Sequence, residues 1–362
     1  MSIEKGRVST LQATFLVTNT ILATTLLFLP GILAEEVGQD SWLALFLAAI
    51  FGFLLGWLVI SLGRKFPGKN LVEYGRELLG LWPGRFLGVL LGVFWTIQAA
   101  IVVREFGELL GGQIMHETPM LVFNVLLVLM AVYGIYLGLE VFARVSEIVV
   151  PVSLAVGLLV WINGLPEMDF GRLQPSSVHS CAQVLRGSGD LLSFYSQGVV
   201  LAMFLPYLRR PGEAHWIVVA SSVLLAVAIL LSILGVIAFF GVEETSRMMF
   251  PAFEFAEAVR FPLVERIEAF VVGIWVATTG IKVMVISYSG VLAFASSLNL
   301  EDYRPLVLPI GLLLAVLSAS MFSDTAHLRE FMAHYASPYG NTFQVGIPLL
   351  LYILALFQRK DG

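Results

Sequence analysis

The sequence predicts an all-α polytopic membrane protein of ten transmembrane helices, arranged as a five-plus-five inverted repeat. Three observations carry this. Hydrophobic residues make up 58% of the 362 positions and charged residues only 13%, about half the roughly 25% usual for a soluble domain. The mean hydropathy is +0.88, and a soluble surface could not hide that much apolar area. Ten segments approach the roughly 20 apolar residues a helical span needs, and two of them, five spans apart, carry matching polar clusters ahead of a proline.

Helix 1 is expected over Thr10–Leu33. Lys5 and Arg7 precede it as they would a signal peptide. The run extends past Phe28, holds Asn19 and several Thr, and shows no clear small-residue cleavage site, so it reads as a retained helix. Helix 2 follows over Trp42–Leu62, helix 3 over Arg85–Gly112, helix 4 over Pro119–Leu137 and helix 5 over Glu140–Ile162. The second half repeats the pattern with helix 6 over Leu191–Leu208, helix 7 over Ala214–Phe240 and helix 8 over Ile267–Phe294. Helix 9 spans Leu306–Phe322 and helix 10 Thr342–Phe357. Pro30, Pro151 and Pro206 should kink or break the helices that hold them. Asn70–Leu79 and Thr325–Tyr335 mix apolar and charged positions and are expected at the membrane interface. No soluble domain is visible, and residues 1–362 read as one transmembrane domain. The longest connections are Asn163–Asp190, Gly241–Arg266 and Ser323–Asn341.

Placing the N-terminus in the cytoplasm puts about two-thirds of the 21 Lys and Arg residues on that side, as the positive-inside rule requires. Both termini are then cytoplasmic. The first outer loop, Ala34–Asp40, carries Glu35, Glu36 and Asp40 and no base, in agreement. Helix 1 contains Phe28-Leu29-Pro30 and helix 6 contains Phe204-Leu205-Pro206. Polar or small residues precede both, Thr18-Asn19-Thr20 and Ala23-Thr24-Thr25 in one and Ser193 through Gly198 in the other. Five spans is an odd number, so the halves, about 9–163 and 189–358, have opposite orientation.

The net charge is −5 and no basic block suits a phosphate backbone, so nucleic acid is excluded as a main partner. The single cysteine, Cys181, forms no internal disulfide. The five histidines form no metal-ligand pair, and no nucleophile–base pair, phosphate loop or cofactor motif is present. No enzyme, metal or cofactor is expected.

Several motifs occur together in order. Gly138-Leu139-Glu140-Val141-Phe142-Ala143-Arg144, with Glu147 and Pro151 after it, resembles the fourth-to-fifth helix region of spore germination permeases, the B subunits of GerA-type germinant receptors. Arg104-Glu105-Phe106 with Glu108, then Thr118-Pro119, resembles the end of their third helix. Phe250-Pro251, Arg266-Ile267-Glu268 with Trp275, and Pro348-Leu349-Leu350 running to Arg359-Lys360 also fit. The resemblance covers nearly the whole chain. It implies membership of the amino acid–polyamine–organocation superfamily and a LeuT-like fold with broken helices 1 and 6. It also implies a permease-like subunit in the spore inner membrane that binds a small germinant, an amino acid, and signals to A-type and C-type partner subunits. Helix 1 departs from the superfamily's glycine-rich break, having no Gly between Leu11 and Gly31.

In such a fold the ligand lies at mid-membrane between helices 1, 3, 6 and 8, where unwound backbone can hold a carboxylate and an ammonium. The candidates on helix 1 are Thr20, Ala23, Thr24 and Thr25, although each Thr taken alone more readily bonds back to an i−4 carbonyl. On helix 3 they are Trp95, Gln98 and Ala99, with an interhelical bond the alternative role for Gln98. Helix 6 offers Phe194, Tyr195, Gln197 and Gly198, and helix 8 offers Thr278 and Thr279. Lys282 is the sharpest single feature, because a lysine deep in a span costs about 3 kcal/mol or more. It either stands in for a coupling cation, pairs with Glu147 or Glu108, or snorkels. Glu140, Arg144 and Glu147 share one helical face as a salt-bridge clamp or an inner gate. Arg104, Glu105 and Glu108 form an outer gate or an interface anchor, and Arg266 and Glu268 carry the same two readings. Three functions fit these residues: a germinant receptor subunit, a proton- or sodium-coupled amino acid transporter, and a scaffold without a ligand.

Overall fold

The computed structural model describes residues 3–174, 180–261 and 267–357. His179, Arg266, Arg359 and Lys360, and the side chain of Glu268, lie outside what is described. Helix 1 corresponds to α1 (Thr10–Val37), helix 2 to α2 (Ser41–Lys65), helix 3 to α4 (Leu81–Leu109), helix 4 to α5 (Met120–Leu137) and helix 5 to α6 (Leu139–Gly164). The amphipathic segment after α2 is α3 (Leu71–Leu79). Helix 6 is divided into α7 (Cys181–Tyr195) and α8 (Leu201–Phe204), and helix 7 is α9 (Ala214–Phe240). The loop after it holds two short helices, α10 (Val242–Arg247) and α11 (Pro251–Ala258). Helix 8 is α12 (Ile267–Leu298), helix 9 is α13 (Arg304–Ser320), and α14 (Thr325–His334) follows. Helix 10 is divided into α15 (Ala336–Asn341) and α16 (Ile347–Phe357).

By length and composition, seven helical stretches among the described residues are apolar enough to cross a membrane, or eight if the bent α13–α14 pair is one span. The first of them, Thr10–Lys65, contains both α1 and α2. Exposed Phe46, Leu54, Leu126 and Leu308 form outward apolar faces, as hydrocarbon rather than water would require.

Local chemistry sets the ends of these helices. Ser9 caps α1 in a reciprocal capping box with Gln12, and Asn70 caps α3 in the same way with Glu73. Gly138, at φ 106°, makes the one-residue turn between α5 and α6, a conformation glycine adopts without strain. The core is built around α1, which is buried on nearly every face and packs on α9 and α12. Helix α12 also runs along α4, where Gly88 meets Ser297 and Val72, and Gly92 meets Phe294. A Cβ at either glycine would collide, so the two helices approach closely only because those side chains are missing.

The two expected breaks differ in outcome. Helix 6 changes hydrogen-bond period, running as a 3₁₀ segment over Ser196–Val200 and again over Leu205–Tyr207. In contrast, α1 is α-helical without interruption and holds Pro30 inside it, and α6 holds Pro151 in the same way.

Two connecting segments among the described residues are held by specific contacts. Helix α14 turns back at 103° to α13. Leu328 on it is buried and packs with Phe322 against Ile97 and Ile101 of α4. At the opposite end of the bundle, the segment before α1 is tied down. Val8 N–H donates to Tyr207 O at 3.0 Å, and Arg209 N–H donates to Val8 O at 2.9 Å. Glu4 is buried there, and its Oε2 accepts from Tyr288 OH at 2.9 Å and from Leu139 N–H at 3.3 Å.

Candidate functional site

The 3₁₀ segment 196–200 lies against α1. A Cβ on Gly198 would sit 3.5 Å from Val17 and Ile21 side chains. The face of α1 toward α12 carries three side-chain hydrogen bonds between the two helices. Asn19 Nδ2 donates to the Thr278 carbonyl at 2.8 Å, and Trp275 Nε1 donates to the Ala23 carbonyl at 2.8 Å. Trp275 in turn stacks on Phe106 of α4 with ring centroids 5.4 Å apart. Thr20 and Thr25 donate to the carbonyls of Leu16 and Ile21, four residues back, so their hydroxyls are spent on their own helix. Thr278 bonds back to Trp275 O in a similar way.

Thr24 differs from its neighbours. Its Oγ1 accepts from Lys282 Nζ at 2.6 Å, joining α1 to the midpoint of α12. Lys282 is fully buried. It does not pair with Glu147 or Glu108, the two partners its sequence position suggested. Glu147 accepts from Gln12 Nε2 at 3.2 Å. Glu108 is held by Arg104 at 2.7 Å and by the Thr325 hydroxyl at 2.6 Å. The carboxylate that acts electrostatically on Lys282 is Glu105, also buried, with its Oε2 free of any hydrogen-bond partner among the described residues. No ion pair within 4.0 Å joins the two among the described residues.

Six of the other buried polar atoms without a protein partner among the described residues are Thr18 Oγ1 on α1, Trp95 Nε1 on α4, Tyr195 OH and Gln197 Oε1 at the helix 6 break, and Thr279 and Ser287 Oγ on α12. Others are scattered through the bundle, at Glu36, Tyr74, Arg85, Asn124, Trp161, Ser232 and Asn341. A buried polar atom with no partner is costly, and these six lie on helices that touch one another. The Tyr195 ring packs on Gly52 of α2. Ala99 is buried in α4 and Phe194 in α7, giving the region apolar walls, and Gln98 is half-buried beside Gly340 of α15. The arrangement supplies an ammonium with donors beyond the one Thr24 accepts, a carboxylate, an indole N–H and several hydroxyls.

Apart from Glu105, the two charged clusters expected as gates are held by other partners. Glu140 accepts from Arg144 at 2.5 Å and from Arg209 at 3.2 Å, on the exposed end near Glu4. Arg104 holds Glu108 and donates to Phe322 O at 3.2 Å, at the end covered by α14. Sequence reasoning left Thr18 out of the site and placed Glu105 in the outer cluster. A signal for Glu105 was available, because Trp95, Gln98, Val102 and Glu105 repeat at the spacing of one helical face.

A protein-family model described as "Spore germination protein" matches residues 7–327. Spore germination protein KB of Bacillus subtilis (strain 168) is 26% identical over 375 residues, covering 99% of this chain and 97% of its own. Spore germination protein B2 of the same organism is 23% identical, covering 100% and 99%. Among solved structures, a Na+-coupled sialic acid symporter superposes with a TM-score of 0.67 at 14% identity, covering 94% of this chain and 79% of the symporter. MhsT in complex with L-phenylalanine superposes with a TM-score of 0.66 at 12% identity, covering 99% and 90%. These likenesses establish the LeuT-like transporter fold. On the match that spans most of its length, the chain belongs to the spore germination protein family.

Proposed function

We propose that the protein is the permease-like, ligand-sensing subunit of a spore germinant receptor. It binds a small germinant, an amino acid, at mid-membrane. The observation that supports this is the set of unpartnered buried polar atoms on α1, α4, the helix 6 break and α12, together with buried Lys282 and Glu105, which act on each other electrostatically without a direct ion pair. A zwitterion has a carboxylate and an ammonium to satisfy, and this surface offers groups of both signs. In this reading, binding favours one arrangement of the halves 9–163 and 189–358, and that bias passes to A-type and C-type subunits in the spore inner membrane, with both termini on the core side. The test is thermal stability of the purified protein against a panel of amino acids. A ligand that binds only the folded state raises the apparent Tm by mass action. A shift that is lost in Gln197→Ala or Thr279→Ala, whose unliganded Tm values stay near wild type, supports the site. No shift with any amino acid refutes it.

The Lys282–Thr24 bond favours a second reading, coupled amino acid transport. It sets a cation between α1 and α12 beside a buried carboxylate. Uptake of labelled amino acid into proteoliposomes, driven by a proton or a sodium gradient, separates the two. A receptor subunit binds without accumulation, and a transporter accumulates under one gradient only.

A further inference from the structure

Helix 10 is not a regular helix. Its middle, Thr342–Gly346, is a π-turn. The cause is two residues into α16, where Pro348 has no N–H to close an α-turn on the carbonyl of Gln344, four residues earlier, and its ring crowds that carbonyl. Widened turns of this kind concentrate at functional positions.

The π-turn packs on the 3₁₀ segment of helix 6, so the two irregular stretches of backbone in this part of the bundle face each other. Gln344 makes the connection. It is 3% exposed, and its Oε1 lies 2.6 Å from the Ser196 hydroxyl, which is wholly buried. Ser196 also lies 3.0 Å from the Ser193 carbonyl. A serine has one hydroxyl proton. Ser196 can give it to Gln344, or it can give it to Ser193 O while the Gln344 amide nitrogen donates to Ser196. In both cases the amide fixes the first residue of the break. The rest of helix 10 is anchored on the same two walls. Asn341 Nδ2 and Ser337 Oγ donate to Gly189 O on α7, and Phe343 stacks on Phe94 of α4 at 4.5 Å, next to Trp95. A glutamine in hydrocarbon gives no packing advantage over leucine and carries a desolvation cost, so its placement calls for a polar task.

We propose that Gln344 is a positioning residue for germinant recognition. Held by the π-turn of helix 10, it sets the geometry of Ser196–Val200 and makes helix 10 a wall that responds when the site is occupied. This rests on the reading of the helix 6 break as part of the ligand site.

The test uses the purified full chain, as wild type, Gln344→Leu, Ser196→Ala and the double variant. Amide hydrogen exchange and ligand-induced Tm shifts are read with each proteinogenic L-amino acid as probe. Exchange over Ser196–Val200 should rise in Gln344→Leu and leave α1, α4 and α12 unchanged. The amino acid that shifts wild type should bind about tenfold more weakly to either single variant, the size of one lost hydrogen bond. The double variant should be no worse than the single ones, because both delete the same bond. Unchanged exchange in the 196–200 segment, unchanged affinity, or additive losses each overturn the proposal. If no amino acid shifts wild type, the binding reading has failed and the germinant role falls with it, whereas the exchange result still decides whether Gln344 holds the segment. Where Gln344→Leu does not fold, Ser196→Ala removes the bond from its smaller side and carries the test.

Discussion

Among the described residues, Lys282 has a single hydrogen-bonded side-chain partner, Thr24, and one buried carboxylate in electrostatic range, Glu105. Removing one member of a buried charge pair leaves the other uncompensated, at a cost of about 3–5 kcal/mol. Lys282→Met keeps the volume and deletes the charge, so it should lower the Tm of the purified protein substantially. Lys282→Met combined with Glu105→Gln should regain most of that loss, because neither charge then stands alone. A double variant as unstable as the single one refutes the pairing. The lysine itself was legible in the sequence because a charge amid 20 apolar residues is conspicuous. Its partner was not. Glu105 and Glu108 sit three residues apart on one helical face, and the choice between them depends on who else competes. Arg104 and Thr325 take Glu108, and Thr325 comes from a segment more than 200 positions away that no local pattern connects to α4.

At the scale of elements, the Phe-Leu-Pro triplets of helices 1 and 6 pointed to two equivalent breaks, and only helix 6 has one. The triplet does not cause it. The 3₁₀ segment 196–200 begins ten positions before Pro206, and it coincides with the bond from Gln344 rather than with the proline. Pro30 lies within an α1 enclosed by neighbouring helices, which can hold a helix together across the single hydrogen bond a proline removes. Helix α14 was legible as amphipathic but not as a cover. Asp324 caps it by accepting from His327 N–H at 2.8 Å, and that bond, aided by the Ser323 hydroxyl, lowers the Asp324 pKa below the usual carboxylate range. A carboxylate depressed on folding contributes stability that is complete above its unfolded pKa, about 3.9, and that is lost as the pH falls through the folded value. Amide exchange in α14 should therefore be constant from neutral pH down to the ordinary aspartate range and rise, after correction for intrinsic rates, below it. Asp324→Asn, which still caps but does not titrate there, should abolish that rise. A profile identical in wild type and Asp324→Asn rules the cap out as its source.

Across the whole molecule, the polar core between α1, α4 and α12 is closed at both ends by segments outside the main helices. One end has α14, held by Thr325 on Glu108 and by Arg104 on Phe322 O. The other has the residues before α1, held by Glu4 and by the Val8–Leu208 bridge. The helical, apolar character of the chain was readable from composition. The N-terminal closure was not, because nine mostly polar residues carry no periodic signal and Glu4 finds its partners in α6 and α12. Glu4→Ala strips the acceptor from Tyr288 OH and the Leu139 N–H, at about 1–3 kcal/mol for each buried donor left unmet. It should raise amide exchange at Val8, Leu139 and Arg209 while leaving α14 as protected as in wild type. Glu108→Gln should act in the opposite sense, loosening α14 and sparing the Glu4 end. If the core ligand biases one closure against the other, adding the amino acid that stabilises the protein will protect one end and deprotect the other, and each variant will abolish the response at its own end alone. Protection that rises equally at both ends would mean that the ligand only stiffens the bundle, and the two closures would then be fixed parts of the fold with no role in passing a signal outward.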